Sequence, residues 1–196
     1  EYIRNSDLLT PRELAITETN DINDILGKIS TGEISSFETT TAFAKRAALA
    51  QQLTNCCTEI FFEEAFATAK QLDEYLSLHG KTVGPLHGLP VSVKDCIDVK
   101  GHDSTIGTCK YAETLYCFSA NRLGWIGLAN KPAVEDSTPT KTLRELGAVL
   151  YVKTNVPQSL MVNFEFNLSQ RFLTLITIQM SDSNNHLFGQ CVNPLN

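Results

Sequence analysis

No run in this 196-residue sequence is long and apolar enough to cross a bilayer. The most apolar late stretch, 172–180, falls far short of the ~20 residues a membrane helix needs. Positive charge is also scarce: Lys and Arg total 16 against 22 Asp and Glu, for a net charge of −6. The basic residues are scattered, so the electrostatic footprint that a nucleic-acid backbone requires is missing, and neither nucleic acid nor membrane is expected as a partner. The six cysteines, Cys56, Cys57, Cys96, Cys109, Cys117 and Cys191, include no CxxC and no Cys/His pair at zinc spacing. They read as reduced thiols in a cytoplasmic chain, with no metal and no cofactor. No charged segment followed by an apolar one is visible from Glu1 onward, so no secretory leader is expected. Asn167-Leu168-Ser169 fits a glycosylation triplet, a pattern common by chance.

Phosphate-binding signatures are wanting as well. Gly80-Lys81-Thr82 resembles the end of a P-loop, but position 75, where its first glycine would stand, is Tyr75. A helix-end turn accounts for Gly80, and a nucleotide-binding module is a weak third reading. His79, His87, His102 and His186 have no mutual metal spacing. For His87 a backbone hydrogen bond in a loop is the expected role.

With 42% hydrophobic and 19% charged residues, the chain has the balance of a soluble globular protein, sized for one domain or a piece of a larger one. Its first half reads helical. Thr, Asn and Asp at 19–21 precede Ile22, Ile25, Leu26 and Ile29, an amphipathic face that closes near Gly32. Ser35 or Ser36 caps a longer helix to about Asn55, although Thr39 to Thr41 lower its propensity. A third helix runs from Glu63 to about Leu78, with acidic residues in its first turn and Gly80 beyond its end.

After Gly84 the texture changes. Gly84, Pro85, Gly88 and Pro90 approach a run from Leu89 to Val93 that reads as a buried strand, with Lys94 at its end. Glu135-Asp136-Ser137 and Pro139 then open a helix that ends at Leu146-Gly147, and Ala148 to Val152 form an apolar strand, so the order is that of an α/β unit. Thr154-Asn155-Val156-Pro157 ends that strand.

Lys94 is the candidate functional residue. Removing an ammonium from water without partners costs several kcal/mol, on the order given for buried ions, so a lysine inside a buried strand is rare. Burial lowers its pKa toward neutrality and makes it a usable base. The alternative is a lysine whose head reaches solvent at the strand end, or pairs with Asp95 or Asp98. For Asp95 and Asp98 themselves, loop hydrogen bonding is the favoured role.

The stretch from Gly84 to Asp95, GPLHGLPVSVKD, resembles the lysine segment of the amidase signature hydrolases, and most closely their fungal acetamidase branch. The likeness continues through LLTPRELAIT, AFAKRAALAQQLTNC, FFEEAFATAKQLDEYL, LANKPAVEDS, LRELGAVLYVKTNVPQSLM and FGQCVNPLN, in family order. It implies the N-terminal part of an incomplete α/β fold in which a mixed central sheet is surrounded by helices. Residues 1–196 would be one partial amidase domain, with N-terminal helices over about 19–80 and the lysine strand and α/β units over about 84–196. The implied chemistry is hydrolysis of small carboxamides such as acetamide to carboxylate and ammonia. A serine nucleophile, a second serine on a cis peptide bond and a lysine carry it, and Lys94 matches that lysine.

The departures from the family matter too. Its glycine- and serine-rich signature would follow Asn193-Pro194, and no Gly-Gly-Ser-Ser-Gly-Gly run occurs in the sequence. Both serines and the oxyanion hole are therefore expected to lie outside it, and neither Ser92 nor Ser104 is assigned as nucleophile. The second functional reading is a non-catalytic product, truncated or pseudogene-derived, that at most binds a partner. Segments 108–124 and 166–180 interrupt the family pattern and read as retained introns translated in frame, with genuine loop insertions as the alternative. Which amide is the substrate, and the oligomeric state, are not legible.

Overall fold

The computed structural model describes residues 2–105, 131–157, 183–185 and 187–193. The proposed inserts 108–124 and 166–180, together with Cys109, Cys117 and His186, lie outside the described residues.

The chain begins with a short helix that the sequence reading passed over, α1 (Pro11–Thr17). Its local signal is complete. Thr10 accepts from the Glu13 amide, Glu13 accepts from the Thr10 amide, and Pro11 sits where its missing N–H costs nothing. Helix α2 (Ile22–Ser30) is capped by Asp21, and α3 (Ser36–Thr54) by Ser35. Helix α4 (Phe62–His79) ends at Gly80, whose φ of 63° gives the left-handed cap. The expected bounds of these three helices hold to within about three residues.

The threonine run does not break α3. Thr39 and Thr41 donate their hydroxyls to the carbonyls of Ser35 and Phe37 one turn back, at 2.9 and 2.7 Å. These residues thereby bury a group that would otherwise compete with the helix. Asp73 of α4 accepts from the amides of Ser36 and Phe37 at 2.7 and 3.0 Å, satisfying orphan donors at the α3 N-terminus and fixing the two helices together.

Between α3 and α4 lies β1 (Cys57–Ile60), which the sequence reading also passed over. It joins β2 (Pro90–Lys94) and β3 (Val149–Thr154) in a sheet of order β1-β3-β2, with β1 antiparallel and β2 parallel to the central β3. The expected α/β unit is present: α5 (Thr138–Glu145) connects the parallel pair β2 and β3, as a crossover must. A hairpin of β4 (Ser183–Asn185) and β5 (Gly189–Cys191) stands apart from this sheet.

Apolar contacts hold helices to both faces. Ala65 and Ala69 of α4 meet Val149, with Phe37 and Tyr151 packed around them. On the other face Val93 and Leu150 meet Phe61, Val99, Ile97 and Leu143 of α5. Glycines permit the close approach of the segment before β2. A Cβ on Gly147, at φ 88°, would stand 2.9 Å from the His87 Cα, and Gly88 donates to the Gly147 carbonyl at 2.8 Å. Gly88 itself has φ 75° and presses on Ser36, so neither site accepts a side chain without displacement.

Candidate functional site

β2 ends at Lys94, and its register with β3 decides which way each side chain faces. Val93 lies opposite Lys153 and Lys94 opposite Thr154. Successive strand residues face opposite sides, so Val93 and Lys153 share one face and Ser92 and Lys94 the other. Val93 and Lys153 are buried, whereas Ser92 and Lys94 are exposed. The expectation of a strand buried throughout is therefore corrected. Among the described residues β2 pairs only with β3, so it is an edge strand with one open side. Among the described residues the Lys94 side chain makes no hydrogen bond or ion pair: it is exposed, and the pairing with Asp95 or Asp98 does not form.

The buried lysine is Lys153, which sequence reading missed. It is fully buried, and its ammonium donates to the Asp103 carbonyl and to Ser104 Oγ, the latter at 2.8 Å. Burial pushes its pKa below the ordinary lysine value, opposed by the negative charges of Asp95, Glu59 and Asp98. Ser104, a sequence neighbour of Lys94, is thus a partner of Lys153.

Asp95 makes the turn after Lys94 rigid. It is fully buried, its amide donates to the Thr154 carbonyl at 3.0 Å, and Thr58 Oγ1 donates to one carboxylate oxygen at 3.2 Å. The other oxygen accepts from the Thr105 amide and hydroxyl at 3.0 and 2.8 Å. The loop-bonding role expected of Asp95 is present, and the Ile97 amide closes the turn on the Lys94 carbonyl at 2.9 Å. The loop over 95–105 is tied down again at His102, whose two ring nitrogens face Glu59 and Glu64 at 3.0 and 3.2 Å, over the ring of Phe61. Lys94 thus leaves a backbone held from both sides by buried polar groups.

His87 behaves as expected of a loop histidine. It is buried, accepts a hydrogen bond from the Val83 amide at 3.1 Å, and burial lowers its pKa. Among the described residues no group of three His, Cys, Asp or Glu side chains could hold a metal ion, and no helix is long and apolar enough to cross a membrane. Of the described cysteines, Cys56, Cys57 and Cys96 are free thiols.

Beyond β3, an asparagine network joins the hairpin to the sheet. Asn185 donates to Asn155 Oδ1 and the Val156 carbonyl at 2.6 and 2.8 Å, and accepts from the amides of Leu187 and Phe188. Asn155 donates to the Gly189 carbonyl at 3.2 Å. From the sequence Asn155 reads only as part of the stretch that ends β3 and Asn185 is not singled out, because an asparagine in a loop carries no periodic signal.

Fold and site together define an α/β domain that presents a lysine at the carboxyl end of a strand, between a glycine-rich approach and an aspartate-anchored turn. A family model described as Amidase matches residues 38–167, and the chain belongs to that family. It is 48% identical to an amidase of Gibberella moniliformis over 168 residues, 85% of this chain and 28% of that protein. It is 40% identical to an acetamidase of Emericella nidulans over 196 residues, all of this chain and 29% of the relative. The solved structure of a fatty acid amide hydrolase superposes with a TM-score of 0.73 at 35% identity, covering all of this chain and 28% of that one. The chain therefore spans less than a third of the length of these relatives.

Proposed function

We propose that this chain is the lysine-bearing N-terminal portion of an amide hydrolase, with Lys94 as the proton-accepting residue. The observation that carries the reading is the position of Lys94: an exposed amine on a hydrogen-bonded backbone, at the carboxyl end of a parallel strand, in a family whose members are named amidase and acetamidase. The substrate class is a small carboxamide, released as carboxylate and ammonia. Lys94 would take a proton, by way of a bridging serine, from the serine that attacks the carbonyl, and the acyl-enzyme would then be hydrolysed.

That role requires a neutral amine, which burial favours, and Lys94 stands exposed at the end of its strand. The proposal therefore includes a second step: strands supplied outside this chain cover the open side of β2 and desolvate Lys94. The serine-rich run that the chemistry needs is not in this sequence. The 196-residue chain is accordingly expected to show no turnover of acetamide. The test is the reading frame downstream of Asn196. A frame encoding the glycine- and serine-rich run, whose product hydrolyses acetamide and loses about 10²–10⁴ in rate on Lys94→Ala, supports the reading. A stop codon with no such run supports the non-catalytic product, a reading favoured by the exposure of Lys94. Robust turnover by the chain alone, abolished by Lys94→Ala, would overturn the proposed division of the site.

A further inference from the structure

The sheet face that carries Ser92 and Lys94 also borders a cavity of about 170 Å³ under α3, walled by Phe43, Ala47, Ala50 and Tyr151. Two thiols open into it. Cys56 and Cys57 are adjacent in sequence, yet their sulfurs lie 3.7 Å apart, because Cys56 is still in the connection after α3 while Cys57 begins β1. Cys56 is half-buried and Cys57 buried.

The pair is poorly suited to a disulfide. No cis peptide occurs in the described chain, and residues joined by a trans peptide have Cα atoms ~3.8 Å apart, shorter than the roughly 4.4–6.8 Å that disulfides favour. It is poorly suited to zinc as well, which takes four ligands, because no third group completes a metal site among the described residues. What the geometry offers is two soft sulfur ligands that remain reduced and share one largely apolar cavity, whose lining also includes Arg46, Ser92 and Thr154.

We propose that Cys56 and Cys57 form a dithiol site for a monosubstituted trivalent arsenical, whose organic group occupies the cavity beside Tyr151. An arsonous acid, R–As(OH)₂, reacts with both thiols. Two As–S bonds form, two As–O bonds break, and each thiol proton leaves with a hydroxide as water. Arsenic stays trivalent, so no oxidant or reductant is needed. Attack begins at Cys56. The contact between the two sulfurs, in which either can donate, pulls the Cys56 pKa down to about 6, while the same contact, with burial, pushes Cys57 up. Loss of the Cys56 proton therefore gives the first nucleophile at neutral pH, and Cys57 closes the ring once the shared proton is released.

The probe is phenylarsine oxide, hydrated to phenylarsonous acid, added to the full chain. One phenylarsenic is expected to survive dialysis against 2-mercaptoethanol and to leave with 2,3-dimercaptopropanol. Cys56→Ser and Cys57→Ser should each release it to the monothiol about 10²–10⁴-fold faster, the loss of an intramolecular second attachment. Cys96→Ser, Cys109→Ser, Cys117→Ser and Cys191→Ser should retain it. Mapping of the wild-type adduct needs no variant to fold: trypsin isolates 47–70, with both thiols, from 172–196, with Cys191. An adduct confined to 47–70 supports the site. An adduct bridging to Cys191 or another cysteine, release of the wild-type adduct by monothiol, or retention by both Cys56→Ser and Cys57→Ser would overturn it.

Discussion

Replacing Lys153 with methionine keeps the volume of the side chain and removes its charge, which isolates what the buried ammonium contributes. Two acceptors lose their donor, the Asp103 carbonyl and Ser104 Oγ. A buried acceptor left unsatisfied costs about 1–3 kcal/mol. Asp95, the carboxylate that most favours the charged amine, loses its support, while the desolvation cost of the ammonium is recovered. Removing one partner of a buried ion pair usually costs about 3–5 kcal/mol, because the other charge stays buried. Here Asp95 keeps hydrogen bonds from Thr58 and Thr105, so we place the loss for Lys153→Met at about 2–4 kcal/mol. That is a large part of the ~5–15 kcal/mol by which domains are stable.

The assay is urea unfolding of the chain followed by far-ultraviolet circular dichroism, with Asp95→Asn and the double variant completing a cycle. If ammonium and carboxylate act as one unit, the double variant is expected to be more stable than the sum of the singles predicts, by about 1–2 kcal/mol. The pH dependence supplies a second reading. The folded pKa of Lys153 is lowered, so between that value and the ordinary 10.5 the unfolded chain binds the proton that the folded chain has lost. Its contribution to stability therefore rises with pH across that window, and Lys153→Met should flatten this component. A Lys153→Met chain within about 0.5 kcal/mol of wild type, or strict additivity with Asp95→Asn, would refute the reasoning.

Other perturbations separate neighbouring claims. Lys94→Ala should change stability by no more than about 0.5 kcal/mol in the same urea assay, since the side chain is exposed and makes no described bond. Gly147→Ala should cost about 1–3 kcal/mol, read as a lowered melting temperature, because a Cβ at φ 88° also meets His87 backbone at 2.9 Å. Burial alone would raise the Glu13 carboxyl, but hydrogen bonds from Lys45 and Thr10 hold it below its ordinary 4.5. Its stabilisation is therefore complete above 4.5 and lost as pH falls through the folded value, and Lys45→Met should move acid unfolding to higher pH. Sequencing the spliced transcript should yield messages without the codons for 108–124 and 166–180; mature messages that always carry both would exclude retained introns.

Much of the fold is written locally. Ser35, Gly80 and the apolar periodicities bound α2, α3 and α4 because caps and helical faces are contiguous features of the chain. The Thr10-to-Glu13 capping box was equally local, and α1 escaped only because seven residues offer too few turns to show a periodic face. Strand β1 is a different case. Its four residues show no alternation, and it is a strand because β3 pairs with it across about ninety residues of chain, which no window around Cys57 can reveal. The hairpin of β4 and β5 likewise depends on Asn155 and Asn185, partners 30 residues apart.

The same limit explains the two lysines. Both Lys94 and Lys153 close apolar strand runs, and the desolvation argument that selects a buried lysine as unusual applies equally to each from the sequence. What separates them is one residue of register: Lys153 lies opposite Val93 on the face covered by the 95–105 loop, and Lys94 opposite Thr154 on the other. A period of two turns that single step into opposite environments. The desolvation physics was sound and belonged to Lys153, whose buried ammonium now serves the loop that follows Lys94. For Lys94 the proposed role rests on the motif and not on burial, since among the described residues β2 is an edge strand that offers its lysine to solvent.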